Sequence, residues 1–287
     1  MLINYLLNAL INGSIIAILA VGFAMVYNTT RIFHIAYAAL YTLSGYLFYQ
    51  FFEITGLPFV IALLLSVLLT SAVSLGCDIL IYRPLVKKNM KSHPLMIASI
   101  GLLIIINNII VLIWGNSPKI ISQFELLNIG ILGIDSNRLL FFIFYLIILS
   151  IMYIILKKSH FEIVMRSMRD NINLTSVLGL NVFSYRTRIF IFSGIIVAAV
   201  GSLHSFDVGV NTGVGLPVFI YAFIALIIGG VGKFEGPILG GFFIGFLQTM
   251  AEYFLSSQWV VLTIFVVLLI FLLYLPSGII PEKRREL

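Results

Sequence analysis

The chain has 287 residues, 61% of them hydrophobic and only 10% charged, with a formal net charge of +6. A soluble domain carries roughly 25% charged residues, and no soluble core hides this much apolar sequence. The apolar runs are continuous and do not alternate with period two, which disfavours a strand-built barrel. The composition therefore predicts an all-α, polytopic integral membrane bundle of 8–9 crossings, read as one domain over residues 1–287.

In chain order, spans are predicted near 6–28, 35–52, 59–82, 95–114, 139–156, 188–206, 217–231, 237–255 and 258–275. Most approach the ~20 residues that cross about 30 Å of hydrocarbon. The opening run, Leu6 to Tyr27, has no basic residue ahead of it (the first is Arg31), so it reads as a span and not as a cleaved signal. Asn8 and Asn12 share one face of that span. The run 35–52 opens with "IAYAAL" and holds Tyr41, Thr42, Ser44 and Gly45, so two readings stay open there, a full span and a broken or re-entrant segment. Cys77, the one cysteine, lies inside the third span and reads as packing.

Asn107 and Asn108 sit in mid-span of the fourth segment. Trp114 and Trp259 fall near span ends, as interfacial anchors do. The run from Pro217 to Gly229 is short for a full crossing. After it come Gly236 and Gly240, then Gly241 and Gly245, two small-xxx-small pairs that let helix backbones approach.

Charge distribution orients the bundle. The segment 83–93 carries Arg83, Lys87, Lys88 and Lys91 without an acid, and 157–188 carries six basic residues against Glu162 and Asp170. In the loop 115–138, Lys119 and Arg138 are balanced by Glu125 and Asp135; loop 203–216 has only Asp207. The positive-inside rule puts 83–93, 157–188 and the tail "EKRREL" in the cytoplasm and the other two loops outside. The basic residues flank spans, so they signal topology and not a nucleic-acid patch.

No catalytic or metal-ligand spacing is visible among the four histidines, and neither HExxH nor GxSxG occurs. "GGVGK", Gly229 to Lys233, lacks both the earlier glycine and the following Ser or Thr of a phosphate loop; it reads as a tight turn. Acids stay near predicted span ends, which argues against a carrier driven by protons or sodium.

The stretch "MRSMRDNINLTSVLGLN", Met165 to Asn181, is the exception to the apolar pattern. Phe161, Met165, Met168 and Ile172 follow one helical face, while Arg166, Arg169, Asp170 and Asn173 fill the rest. Gly179 sits where a left-handed residue ends a helix, with Leu180 beyond it. The pattern predicts an amphipathic helix of about five turns, either lying on the inner leaflet or docking a partner.

Four stretches, this one among them, share a resemblance. "LLNALINGSIIAILAVGFAMVYN", "IYRPLVKKNMKSHPLMIASIGLLIIINNIIVLIWG", "MRSMRDNINLTSVLGLNV" and "IIGGVGKFEGPILGGFFIG" resemble, in order and spacing, the permease subunits of bacterial ABC importers of the branched-chain amino-acid (LivH/LivM) type. The resemblance implies a non-catalytic, multi-pass inner-membrane subunit with no cofactor of its own. ATP and magnesium would be bound by two cytoplasmic partner subunits. A second related permease and an extracytoplasmic solute-binding protein would complete the system.

It also implies that a coupling segment, about 157–187, docks into the ATPase through Met165, Arg166, Arg169, Asp170, Leu178, Gly179 and Asn181. Asn12, His34, Tyr37, Asn107 and Asn108 are candidates for lining the pathway. Where the family commonly has Asn-Phe-Ala-His-Gly after the first span, this chain has His34-Ile35-Ala36-Tyr37-Ala38. That departure leaves urea, amides and other small solutes open beside the branched-chain amino acids.

Overall fold

The computed structural model describes residues 2–88, 90, 92–122, 136–158, 161–170 and 172–280, without the side chains of 2–4, 136, 137, 158, 161, 162, 170 and 172–174. Twelve α-helices are described: α1 (Leu2–Thr30), α2 (Tyr37–Tyr49), α3 (Phe59–Gly76), α4 (Arg83–Lys87), α5 (Ser92–Trp114), α6 (Ser136–Lys158), α7 (Phe161–Asp170), α8 (Ile172–Val177), α9 (Val182–Val208), α10 (Gly215–Gly229), α11 (Glu235–Leu255) and α12 (Val260–Tyr274). Wide π-helical turns extend α2 through Gln50–Ile54 and join α3 to α4 through Cys77–Tyr82. Among the described residues the one β-type contact is an isolated antiparallel bridge between Lys119 and Val210.

Among the described residues, seven helices are long and apolar enough to cross a membrane. The other two predicted crossings are those singled out as irregular. The run 35–52 is α2, which starts at Tyr37 and continues through its π turn without a break. The run 217–231 is α10, 15 residues long and so roughly 22 Å at about 1.5 Å per residue. The sixth predicted span, placed at 188–206, begins earlier. Asn181 caps α9 by accepting a hydrogen bond from Ser184 N, and the helix takes in Arg186, Thr187 and Arg188. Glu125, Asp135, Lys91 and the tail "EKRREL", used above for topology, lie outside the described residues.

The contacts divide the chain into two compact units: Met1–Ala24, Glu125–Ser159 and Ile220–Leu287 in one, and Met25–Phe124 and His160–Phe219 in the other. In the first, glycines set the packing. A Cβ on Gly241 would collide with the backbone of Ala17, and one on Gly245 with the backbone of Gly13; Gly236 and Gly240 meet the backbones of Gly229 and Ala225. One helix thus presents two small-residue faces, one to α1 and one to α10, as expected where lipid removes the hydrophobic drive for association. The segment after α12 is tied back by Ile279 N to Ile228 O (2.8 Å) and Ile280 N to Gly229 O (3.0 Å).

In the second unit α2 is the core. Every residue from Tyr37 to Tyr46 is buried, as in a helix surrounded by others, and it packs against α3, α5 and α9. Against α9 it is held by Gly201, whose absent side chain makes room for Ser44 and for the Tyr41 carbonyl. Ser202 Oγ donates to Ser44 O (3.2 Å), and Tyr41 Oη lies 2.7 Å from His204 Nδ1.

Replacing Gly241 with Val should separate α11 from α1 at a cost of about 3 kcal/mol or more, the upper range for overpacking. Replacing Gly101, whose Cβ position is open, with Ala should be near neutral. Melting temperatures in detergent check the contrast.

Candidate functional site

The site is built on a stripe of small and polar residues down α3. Ala62, Ser66, Thr70 and Ser74 are its buried positions, and Asp78 and Tyr82 continue the spacing of four into the π turn. On a helix of 3.6 residues per turn such a stripe drifts about 40° per step. The wider turn at Cys77–Tyr82 holds more residues per revolution and brings Asp78 and Tyr82 back onto the inward face.

Facing the stripe, α9 runs antiparallel. Ser66 Oγ pairs with Ser202 Oγ at 2.8 Å, and Ser74 Oγ donates to Phe190 O at 2.9 Å. A Cβ on Gly194 would meet Ser74 and Ser71.

The zipper ends on charge. The Asp78 side chain is fully buried, and its two oxygens are divided between two arginines. Arg186 Nε donates to Oδ1 at 2.6 Å, and Arg83 Nε donates to Oδ2 at 3.0 Å. Arg83 also donates to Thr187 Oγ1, so consecutive residues of α9 are grasped from one turn. One carboxylate between two guanidiniums leaves a net +1 in a site where Arg186 is only 5% exposed and Arg83 21%. Arg186 Nη2 has no hydrogen-bond partner, and a buried unmet donor costs on the order of 1–3 kcal/mol.

One helical turn beyond Asp78, Tyr82 Oη donates to Ser99 Oγ (2.9 Å) and lies 2.8 Å from His34 Nδ1. Ser99 Oγ also accepts from Ala36 N at 3.0 Å. The joint between α1 and α2 is therefore pinned to the same π turn and to α5. Phe190 is the apolar hub: the rings of His34 and Tyr82 lie 5.4 and 5.7 Å from it, and the Arg186 guanidinium 5.6 Å.

The connector into α9 consists of α7, α8 and a turn. Gly179 has φ +84°, the left-handed conformation expected of it. Gly179 N donates to Ser176 O (3.1 Å) and Leu180 N to Thr175 O (3.4 Å), the paired bonds of a Schellman ending. Val164, Met165 and Met168 are buried within the chain, whereas Ile163, Val177 and Leu178 are 69%, 82% and 69% exposed. The apolar groups free to meet a partner therefore lie at the Val177–Leu178 turn and at Ile163, and Met165 supports the segment from beneath. Arg166 is exposed and Arg169 half-buried; the side chain of Asp170 lies outside the described residues.

Of the proposed pathway residues, Asn12 belongs to the first unit and His34, Tyr37, Asn107 and Asn108 to the second. His34 and Tyr37 are enclosed by protein at 0% and 1% exposure. Asn12 and Asn107 are half-buried, and Asn108 faces outward, its amide bonded to Ile104 O at 2.8 Å. Sequence reading missed the Asp78–Arg186 pair because it assigned Arg186 to a basic flank. The signal was present in the helical spacing of Arg186, Phe190, Ser193 and Val197, one face that is buried throughout.

A profile of the family described as "Branched-chain amino acid transport system / permease component" matches residues 5–273. The chain is 26% identical to the high-affinity branched-chain amino acid transport system permease protein BraD of Pseudomonas aeruginosa, over 99% of this chain and 97% of that protein. It is 23% identical to the LivH permease of Escherichia coli, again over 99% and 97%. Among solved structures it resembles PsaBC from Streptococcus pneumoniae in complex with Fab, with a TM-score of 0.53, 18% identity and coverage of 95% and 92%. That likeness supports the fold.

Arg186→Met should cost about 3 kcal/mol, since it strips the buried Asp78 carboxylate of its closer and better shielded partner and leaves Oδ1 without its hydrogen bond. The partly exposed Arg83, replaced by Met, should cost about 1 kcal/mol or less. Melting temperatures that fall equally for the two variants would contradict this ranking.

Proposed function

The chain belongs to the family of permease components of branched-chain amino acid transport systems, and we propose that it is a membrane subunit of an ATP-driven importer, passing small amino acids, branched-chain ones first. It pairs with a second related permease in the bacterial inner membrane. Two cytoplasmic subunits bind ATP and magnesium, and an extracytoplasmic binding protein delivers the solute. This chain hydrolyses nothing itself.

The observation that carries the reading is the connector. It is an amphipathic segment, closed by a Schellman turn that leaves Val177 and Leu178 exposed and leads within a few residues into the capped start of α9. Apolar side chains at a rigid turn suit insertion into a cleft. Arg166 and Arg169 orient the docked segment, and Gly179 and Asn181 fix its exit angle. The names of the relatives support the amino-acid cargo. His34 and Tyr37, the positions that depart from the family pattern, are enclosed by protein, so the departure weighs little for a different solute.

The test is uptake by the reconstituted system. Wild-type protein with its partners should accumulate labelled leucine only with ATP; accumulation of urea but not leucine would overturn the cargo, and uptake without ATPases would overturn the mechanism. Leu178→Asp should lower ATPase co-purification and uptake at least tenfold while the protein still inserts. Unchanged co-purification would count against the docking role.

A further inference from the structure

We propose that Asp78 is a positioning residue for transport: it locks the start of α9 to the π turn Cys77–Tyr82, and Tyr82 on that turn carries displacement of the connector to the joint ahead of α2. The inference rests on reading the connector as the docking segment.

The route is short and continuous. Arg186 lies five residues past the Asn181 cap, about 8 Å along the axis, so a push on the connector reaches it before the helix has room to bend. At Arg186 and Thr187 the motion meets Asp78 and Arg83. Both bonds to the carboxylate are charge-assisted, and the one from Arg186 is shielded from water, which makes it the stiffest polar link available. The receiving turn is a π-helical insertion, a feature found frequently where helices serve function.

Asp78 and Tyr82 belong to that one turn, so they move together. Tyr82 passes the displacement on through His34 and through Ser99, which accepts from Ala36 N. Ala36 immediately precedes α2, and α2 is buried along most of its length, so it responds as a body. Its second attachment, to Gly201 and Ser202 of α9, lies further along the same helix that the connector pushes. Held at its start and near its middle, α2 is set to swing when the connector moves. A cluster serving only stability would need no unbroken path between an exposed docking turn and the buried central helix.

The discriminating variant is Tyr82→Phe, which removes the hydroxyl joint and keeps charge and packing. In proteoliposomes holding the complete importer, ATP hydrolysed and leucine taken up are measured together. Tyr82→Phe should assemble normally and keep at least half of the hydrolysis, while uptake falls tenfold or more. A wild-type ratio of hydrolysis to uptake, or a parallel fall of both, overturns the relay.

If this variant fails to assemble, charge exchange decides. Asp78→Arg alone should abolish uptake, and adding Arg186→Asp should restore at least a third of it. An assembled double variant without uptake overturns the proposal. ATP dependence of the wild type reports on the importer reading, whereas the ratio of variant to wild type reports on the relay, so the two failures are distinct.

Discussion

One buried carboxylate organises the second unit. A charge inside a membrane-embedded bundle is tolerated only where it is paired and hydrogen-bonded, and Asp78 meets that demand with two arginines from different elements. Satisfying it requires α9 to bring its polar first turns into the bundle and α3 to widen into a π turn. It also requires Arg83 to stay on the short helix α4, within reach of Thr187. Remove the carboxylate and each of these features loses its reason.

Above that pair the packing follows from the solvent. Lipid offers helices no hydrophobic drive to associate, so contacts are made by small residues and hydroxyls. Ser66 against Ser202, Ser74 against the Phe190 carbonyl, and Gly201 against Ser44 form such a seam. The apolar surface of α5 and α12, largely exposed in the isolated chain, is what a lipid-facing surface looks like. Bulky aromatics concentrate elsewhere: Phe48, Phe52, Phe59 and Phe206 cluster with ring centroids 5.2–6.2 Å apart.

Much of this was legible in the residues. Continuous apolar runs identified the long helices, because a span is encoded by length and hydropathy alone. Gly179 was legible as a helix end because a left-handed position selects glycine. The glycine pairs of α11 were legible as packing, though not which helices they meet. Two things were not. The start of α9 was placed too late, because hydropathy treats Arg186 and Arg188 alike, whereas only Arg186 has a buried acid to meet. The connector's apolar stripe was expected to face the inner leaflet or a partner, but Met165 and Met168 are buried in the chain itself; periodicity reveals an apolar face and not what covers it.

In the proposed relay the connector and the joint ahead of α2 are mechanically one piece, tied through Asp78 and Tyr82. Spin labels on cysteines replacing Ser176 and Arg31, both exposed, measure this directly in the assembled importer by pulsed electron resonance. One distance distribution, unchanged when ATP is added, is expected, because the two points travel together. A distance that widens or shortens on ATP addition while uptake proceeds would contradict it.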